Sequence, residues 1–362
     1  MQQLRLLADD LTGALDTAAE FVSALGPLDV AWHAGALADR HGSFAIDSGT
    51  RELGAEQAFA IARELAPLLR GAGIAYKKID SLMRGPWAAE LNACLRSGFW
   101  DACIVAPAFP HQGRCTRAGR QFAKGPDGSF QPVGESILDQ LGVQGIEARL
   151  GRYDDALPPG VSVFDAETDD DLARVAEIGR HTTGRLLWCG SGGLASALAG
   201  ASDVRASRVL RPPVLGVFGS DHPATEAQLA ISGSVLVSAV NGRLDHQSVR
   251  RRLADGVAFV RLETPGPSSR PEAAAHFAQE VAWLAEAIDP PRTLIIAGGE
   301  TLKAQCLAVG ARALKVTGRL EPGLPRSMIE GGAWSGVDVI SKSGAFGPPD
   351  LWWKLLNDNK LS

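Results

Sequence analysis

Residues 6–18, LLADDLTGALDTA, end an apolar run in two carboxylates, Asp9 and Asp10, and follow them with Thr12 and Gly13 at the start of a helical pattern. Acids at the carboxyl end of a strand accept hydrogen bonds from hydroxyl groups. The N–H groups of the helix that opens beside them attract an anion. A small acid carrying several hydroxyls satisfies both. A single aspartate at such a junction is an ordinary helix N-cap; the second has no capping duty and is a candidate for chemistry.

Three more apolar runs end in the same residue types. FAIDSGTR (44–51) brings Asp47 and Arg51, and YKKIDSLMRGPW (76–87) brings Lys77, Lys78, Asp80, Ser81, Arg84 and Gly85. IVAPAFPHQGRC (104–115) closes its run at Ala106 and reaches Arg114. Charged residues after a strand are commonly solvated. Four strand ends carrying Asp, Lys, Ser and Arg together describe a small pocket in which Arg holds a carboxylate and Asp holds hydroxyls.

The second half carries glycine-bearing turns after apolar runs: Gly219-Ser220, Gly298-Gly299-Glu300-Thr301, and Lys342-Ser343-Gly344 followed by Gly347. Glycine lets backbone approach a ligand closely, and N–H groups at such turns form anion-binding nests. A strand, a Gly-Gly-Glu-Thr turn and a helix make a phosphate site, and Lys342 would neutralise phosphate charge. The spacing excludes a P-loop, and no clean G-x-G-x-x-G follows a strand. The segment CGSGGLASAL (189–198) is the nearest imitation; its glycines either close the pocket or pack a helix onto the sheet. The seven histidines have no metal-ligand spacing, and Ser191 is not in a nucleophile elbow. His111 and His222 lie in motif loops. Trp352 and Trp353, at helical spacing near the C-terminus, suit packing or a homo-oligomer contact better than base stacking.

The elements that must position these residues alternate along the chain. Strands are expected at 4–8, 29–33, 44–47, 74–79, 102–106, 161–166 and 185–190, and helices at 13–25, 54–70, 86–97 and 168–181. A second series starts near 212–220 and continues through 257–262, 292–301 and 336–347, after the polar segment GASDVRASRVLRPP (200–213). The alternation predicts an α/β protein of two domains, 1–208 and 209–362. Each would be a mainly parallel sheet flanked by helices, with a ligand cleft between them. Residues 111–160, rich in Gly, Pro and charge, resist assignment; a segment that long without regular structure would be unusual unless it is a functional loop.

Composition supports a globular enzyme: 45% hydrophobic and 21% charged residues in a chain of 362. A net charge of −5 argues against a nucleic-acid partner. Five cysteines without a C-x-x-C pair argue against disulfides and a zinc knuckle. The short N-terminal apolar run is not a signal peptide and no run suits a membrane span, so a cytoplasmic protein is expected.

ADDLTGA, KKIDSLMRG and APAFPHQGR resemble the sugar-acid-binding domain of the four-carbon acid sugar kinase family. FGSDHPATEAQ, IIAGGETL and EPGLPRSMIEGG with VISKSGAFG resemble that family's nucleotide-binding domain, in family order. The resemblance implies ATP-dependent phosphorylation of threonate, erythronate or a 3-oxo-tetronate, with ATP and Mg²⁺ as cofactors and a small sugar acid as partner. It implies that Asp9, Thr12, Gly13, Asp47, Arg51, Ser81, Arg84 and Gly85 bind substrate, its carboxylate on Arg51 or Arg84 and the Thr12-Gly13 amides. Asp10 or Asp80 would orient or deprotonate the attacking hydroxyl, with Lys78 steadying charge. Ser220, Gly298, Gly299, Glu300, Thr301, Lys342 and Gly344 would hold the nucleotide. Leu82 stands where the family usually has Thr, and Pro86 where it commonly has Asn. Two other readings remain open: a non-catalytic sugar-acid sensor on the same fold, and a metal-dependent hydroxy-acid dehydratase that uses the carboxylates as ligands.

Overall fold

A computed structural model describes residues 3–37, 42–125, 127–154, 156–200, 205–239, 243–263, 266 and 270–361. The chain divides into two compact units at residues 204 and 205. Part of the polar segment read as an interdomain linker, 201–204, lies outside the described residues.

The first unit begins β1 (Leu4–Ala8), α1 (Leu11–Leu25), β2 (Leu28–Ala31), β3 (Phe44–Asp47), α2 (Ala55–Leu65), β4 (Ile74–Lys78), α3 (Trp87–Arg96) and β5 (Ala102–Ala106). It continues with β6 (Arg114–Arg117), β7 (Arg120–Lys124), β8 (Phe130–Val133), α4 (Ile137–Val143), β9 (Ala148–Leu150), β10 (Gly160–Val163), α5 (Asp169–Arg180), β11 (Leu186–Gly190) and α6 (Gly192–Ala199). Eight strands pair in parallel in the order β2-β3-β1-β4-β11-β5-β10-β9. Their apolar runs are buried on both faces, which is why β1, β3 and β5 have the expected limits. The chain runs from β1 to β2 and β3 on one side and then to β4 on the other. Asp9 and Asp10 therefore stand beside the switch point of the sheet, where α/β proteins bind ligands.

Local chemistry fixes the helices. Asp10 caps α1, and Gly26 ends it in a positive-φ conformation. The expected helix 54–70 stops at Leu65 and tightens into a single 3₁₀ turn, Ala66–Leu69, because Pro67 has no N–H to continue it. Thr168 and Asp171 form a reciprocal capping box on α5. Trp87 in α3 donates to Gln140 in α4 at 2.8 Å, and both helices bury apolar residues in a core with Leu7, Ile79, Val105 and Leu187.

Residues 111–160 are not an irregular loop. They form the antiparallel sheet β6-β7-β8, then α4 and β9. These strands are short and half exposed, with sequences such as RCTR and RQFAK that carry no apolar run to read.

The second unit contains β12 (Val214–Phe218), α7 (Pro223–Ile231), β13 (Leu236–Ser238), α8 (His246–Ala254), β14 (Val257–Arg261), α9 (Arg270–Ala287), β15 (Thr293–Ala297), α10 (Gly299–Ala308), β16 (Ala313–Glu321), β17 (Leu324–Glu330), β18 (Asp338–Lys342) and α11 (Leu351–Asp358). The order is β13-β14-β12-β15-β18-β17-β16, parallel up to β18 and antiparallel through the β16–β17 hairpin. The sequence reading assigns no strand to that hairpin; two register shifts and Pro325 obscure its alternation. Trp352 is fully buried against Phe218, with ring centroids 6.1 Å apart, and belongs to the core; Trp353 is 42% exposed.

Candidate functional site

Parallel pairing aligns the ends of β1, β3, β4, β11 and β5, because Ala8 faces Asp47, Lys78 faces Gly190 and Gly190 faces Ala106. The four motif loops of the first unit therefore share one sheet edge. Arg51 is the hub. Its Nε and Nη2 donate to the two oxygens of Asp9, each at 2.8 Å, and its Nη2 lies 2.8 Å from Asp10 Oδ1. Asp80 Oδ1 is a longer 3.7 Å from Nη1. The Asp9 carbonyl accepts from the backbone N–H groups of Thr50 and Arg51, which fixes the approach of the two loops. Burial pushes the Asp9 carboxyl up, but Arg51, Lys77 and Lys78 outweigh it and hold the group below its usual range. Burial works against the Arg51 cation; Asp9, Asp10 and Asp80 more than offset it and raise its pKa.

Asp10 faces the helix it caps. Its Oδ1 accepts from Gly13 N at 2.9 Å and its Oδ2 from Thr12 Oγ1 at 2.6 Å. The Gly13 amide is thus occupied by the cap and is not open to a substrate anion, contrary to the expectation for that amide. Gly13 has a different necessity: a Cβ there would stand 2.5 Å from Asp10 Oδ1 and 3.0 Å from Lys78 Nζ. Asp47 is buried and accepts from Gly49 N at 2.7 Å, shaping the loop that carries Arg51. Gly85 adopts a positive φ, and its Cα position lies against the Arg51 backbone, where a Cβ would meet Arg51 O at 2.8 Å.

Asp80 is held by its own loop. It accepts from Leu82 N, Arg84 N and, in a bidentate pair at 2.8 Å, the Arg84 guanidinium. Burial raises its pKa, and Arg84, Arg51 and Lys78 drive it far below the carboxylate range. Arg84 stays 62% exposed. Beneath them Lys77 is buried with Glu90, Nζ to Oε2 2.6 Å, and donates to the Lys78 carbonyl. Lys78 Nζ donates to the Ile79 carbonyl at 2.9 Å.

Sequence reasoning gave no role to two residues that brace this edge. Gln121 in β7 is buried, accepts from Thr116 Oγ1, and donates to the carbonyls of Ser81 and Pro107, tying the small sheet to two motif loops. Tyr76 OH donates to Ser191 O at 2.6 Å. The glycines of CGSGG pack: a Cβ on Gly193 would stand 2.4 Å from the Ala108 carbonyl and one on Gly192 2.8 Å from Phe109.

In the second unit, Phe218, Ala297 and Lys342 are register neighbours, so the three glycine turns share the carboxyl edge of β12, β15 and β18. A Cβ on Gly344 would lie 2.2 Å from Ser220 Oγ, and one on Gly219 2.6 Å from Thr301 Oγ1. Gly298 has φ +101°, donates to the Lys342 carbonyl, and leads into α10 through Gly299, the exposed Glu300 and the buried Thr301. Lys342 is buried. Among the described residues its Nζ faces only neutral oxygens: Thr225 Oγ1 at 3.4 Å and the carbonyls of Ser343 and Gly344 at 3.1 and 3.2 Å. Burial alone lowers its pKa to about 7. Gln228, also missed by the sequence reading, donates through Nε2 to the carbonyls of Phe346, Gly347 and Pro348 at 3.0–3.2 Å and fastens the loop that follows. An open depression of about 430 Å³ beside Arg211, Arg292 and Ser335 lies at the opposite, amino edge of this sheet, away from the glycine turns.

Among the described residues no helix is long and apolar enough to cross a membrane, and no group of three His, Cys, Asp or Glu is placed to hold a metal ion. Residues 4–153 match the family model of the sugar-binding N-terminal domain and residues 215–351 that of the nucleotide-binding C-terminal domain. The D-threonate kinase of Bordetella bronchiseptica is 30% identical over 96% of this chain and 95% of its own. The 3-oxo-tetronate kinase of Cupriavidus necator is 25% identical over 96% of this chain and 95% of its own. A crystal structure from Salmonella typhimurium LT2 shares the fold, with a TM-score of 0.73 at 21% identity over 99% of this chain and 100% of that one. With both domains matched in order and a 30% identical relative aligned along nearly its whole length, the chain belongs to the four-carbon acid sugar kinase family.

Proposed function

We propose that this protein transfers the γ-phosphoryl group of ATP to a hydroxyl of a four-carbon sugar acid, with D-threonate the first acceptor to test. The observation that carries this reading is the contrast between the two sheet edges. One gathers Asp9, Asp10, Asp80, Lys78, Arg51, Arg84 and Arg114; the other gathers three glycine turns around a buried lysine that has no carboxylate partner among the described residues. The first suits a hydroxylated acid and the second a polyphosphate.

The residues of the second edge fit ATP. Gly219, Gly298 and Gly344 let the three turns close against the hydroxyls of Ser220 and Thr301, so that backbone and hydroxyl groups gather at one edge with Gly299 and Glu300 opening α10, and Lys342 supplies a cation that phosphate would keep protonated. Mg²⁺ would travel on the phosphate oxygens with few protein ligands. Phosphoryl transfer rests on in-line positioning and charge neutralisation more than on covalent help. Asp10, which keeps 16% of its side chain exposed against 9% for Asp80, is the better placed of the two aspartates to orient the attacking hydroxyl, because both oxygens of Asp80 are taken by the Arg84 guanidinium. Lys78 would steady charge on the transferring group. Transfer also requires the nucleotide held by the second unit to reach the hydroxyl held by the first, and ligand-driven closure would exclude water.

The dehydratase alternative needs carboxylates free to ligate a metal, whereas Asp9, Asp10 and Asp80 are matched to Arg51 and Arg84. The sensor alternative predicts binding without turnover. ADP release from Mg²⁺-ATP should depend on one acid among D- and L-threonate, D- and L-erythronate and their 3-oxo forms. ATP binding with no acid-dependent ADP across that panel would favour the sensor.

A further inference from the structure

Charge matching at the first unit's edge leaves two cations, Lys78 and Arg114, without a carboxylate in ion-pair contact among the described residues. Arg51 is taken by Asp9 and Asp10, Lys77 by Glu90, and Arg84 by Asp80 in a bidentate pair. Lys78 spends a donor on the Ile79 carbonyl. Arg114, the first residue of β6, is different. Its Nη1 donates to the Gln112 carbonyl, while its Nε–H is buried and has no acceptor. Among the described residues no carboxylate comes within ion-pair distance of it. Its charged neighbours are Asp80, which favours the cation, and Arg84, which opposes it, and burial disfavours the cation further.

A guanidinium presents a planar fork that matches a carboxylate with two parallel hydrogen bonds. An unused N–H of that fork, withdrawn from water, is costly unless something accepts it. The guanidinium has Asp80 and Arg84 as its charged neighbours, and two structural features hold its backbone at the ligand edge. Phe109 and Arg114 exchange backbone hydrogen bonds that close the turn after β5. Gln121 in β7 holds the carbonyls of Ser81 and Pro107, so the small sheet that carries Arg114 is fastened to the loop that carries Asp80. Arg51 and Arg84 are the expected anchors for the substrate carboxylate, but Arg51 already holds Asp9 and Asp10 and Arg84 holds Asp80, so either would have to release a carboxylate.

We propose that Arg114 receives the carboxylate of the sugar acid and sets the site's preference for acids over neutral polyols, leaving Arg51 to hold Asp9 and Asp10 in place. The inference rests on the sugar-acid kinase reading only for the class of its ligand. Lys78, near Asp80 and against Gly13, is then left for the transferring phosphoryl group.

The test pairs variants with a ligand lacking the charge. Wild-type, Arg114→Met and Arg114→Lys are assayed with D-threonate and with D-threonamide, and D-threonate binding is titrated calorimetrically without nucleotide. Arg114→Met should raise the KM for threonate about ten- to hundredfold, the range for losing a charge-assisted pair. The KM for ATP and for the amide should move less than twofold, and Arg114→Lys should recover part of the loss. Equal losses for threonate and threonamide, or a loss confined to ATP, would assign Arg114 to the phosphoryl group and overturn the proposal. An unchanged KM for threonate would overturn it as well. Should Arg114→Met not fold, Arg114→Gly with and without added guanidinium gives the same reading: rescue of threonate binding supports the proposal, and full binding without guanidinium contradicts it. The calorimetric arm reads the acid directly. Threonate binding that depends on Arg114 without any ADP release would therefore sink the kinase reading and leave this inference standing.

Discussion

At the scale of single residues, the site is a problem of placing like charges together. Asp9, Asp10 and Asp80 converge only because Arg51 and Arg84 lie between them, and the fit leaves little slack. Gly13→Ala puts a methyl group 2.5 Å from Asp10 Oδ1 and 3.0 Å from Lys78 Nζ, so both side chains must move. Displacements of that size cost about ten- to hundredfold in turnover. The variant should keep the wild-type melting profile to within a few degrees and lose kcat/KM by about that factor in a steady-state assay. Lys342 makes a second prediction. Its pKa is about 7 in the fold against 10.5 for the free side chain, because burial disfavours the cation. Between those values the unfolded chain binds the extra proton, so this residue makes the fold gain stability as pH rises through that window; below about 7 its penalty is constant. Denaturant titrations at pH 7 and 9.5 should show that gain in the wild type and a smaller one in Lys342→Met. By the same linkage, ATP should bind more weakly at pH 8.5 than at pH 7 in the wild type, with a flatter dependence in the variant.

At the scale of elements, turns and caps decide what the strand ends present. The loop after β18 hangs on Gln228 in α7, whose amide serves three successive carbonyls. Gln228→Leu keeps the volume and removes the donor. It should cost about 1–3 kcal/mol in chemical denaturation and raise the KM for ATP several-fold while leaving sugar-acid binding unchanged. Much at this scale was legible in the sequence. Buried parallel strands are near-continuous apolar runs, so LRLLA, FAID and ACIVA can be delimited by eye, and the polar residues Asp9 and Ser48 after the first two mark the ligand edge. The pairing of charges was not legible, because Asp9 and Arg51 are 42 positions apart and nothing local says that they touch. Nor was the brace made by Gln121, which sits in a short half-exposed strand, RQFAK, whose pattern resembles a loop. Leu82 replaces a threonine the family usually carries, yet its backbone N–H still donates to Asp80 Oδ2 at 3.1 Å, so the loop keeps its shape without that hydroxyl.

At the scale of the whole molecule, the chain joins two units of similar construction with different chemistry at their ligand edges. That division predicts separable protection in hydrogen exchange. D-threonate alone should slow exchange in peptides covering 6–14 and 78–86, and a non-hydrolysable ATP analogue should do so in peptides covering 218–224, 297–303 and 341–348. Protection by either ligand of the other ligand's peptides alone would reverse the assignment of the units. The central claim is phosphoryl transfer to a sugar-acid hydroxyl, and it is tested most directly by following Mg²⁺-ATP and D-threonate with the enzyme by ³¹P NMR. The account predicts one new phosphomonoester resonance, growing in step with the loss of the γ-phosphate signal and absent without the acid. Release of inorganic phosphate alone, or an unchanged ATP spectrum with both ligands bound, would contradict it.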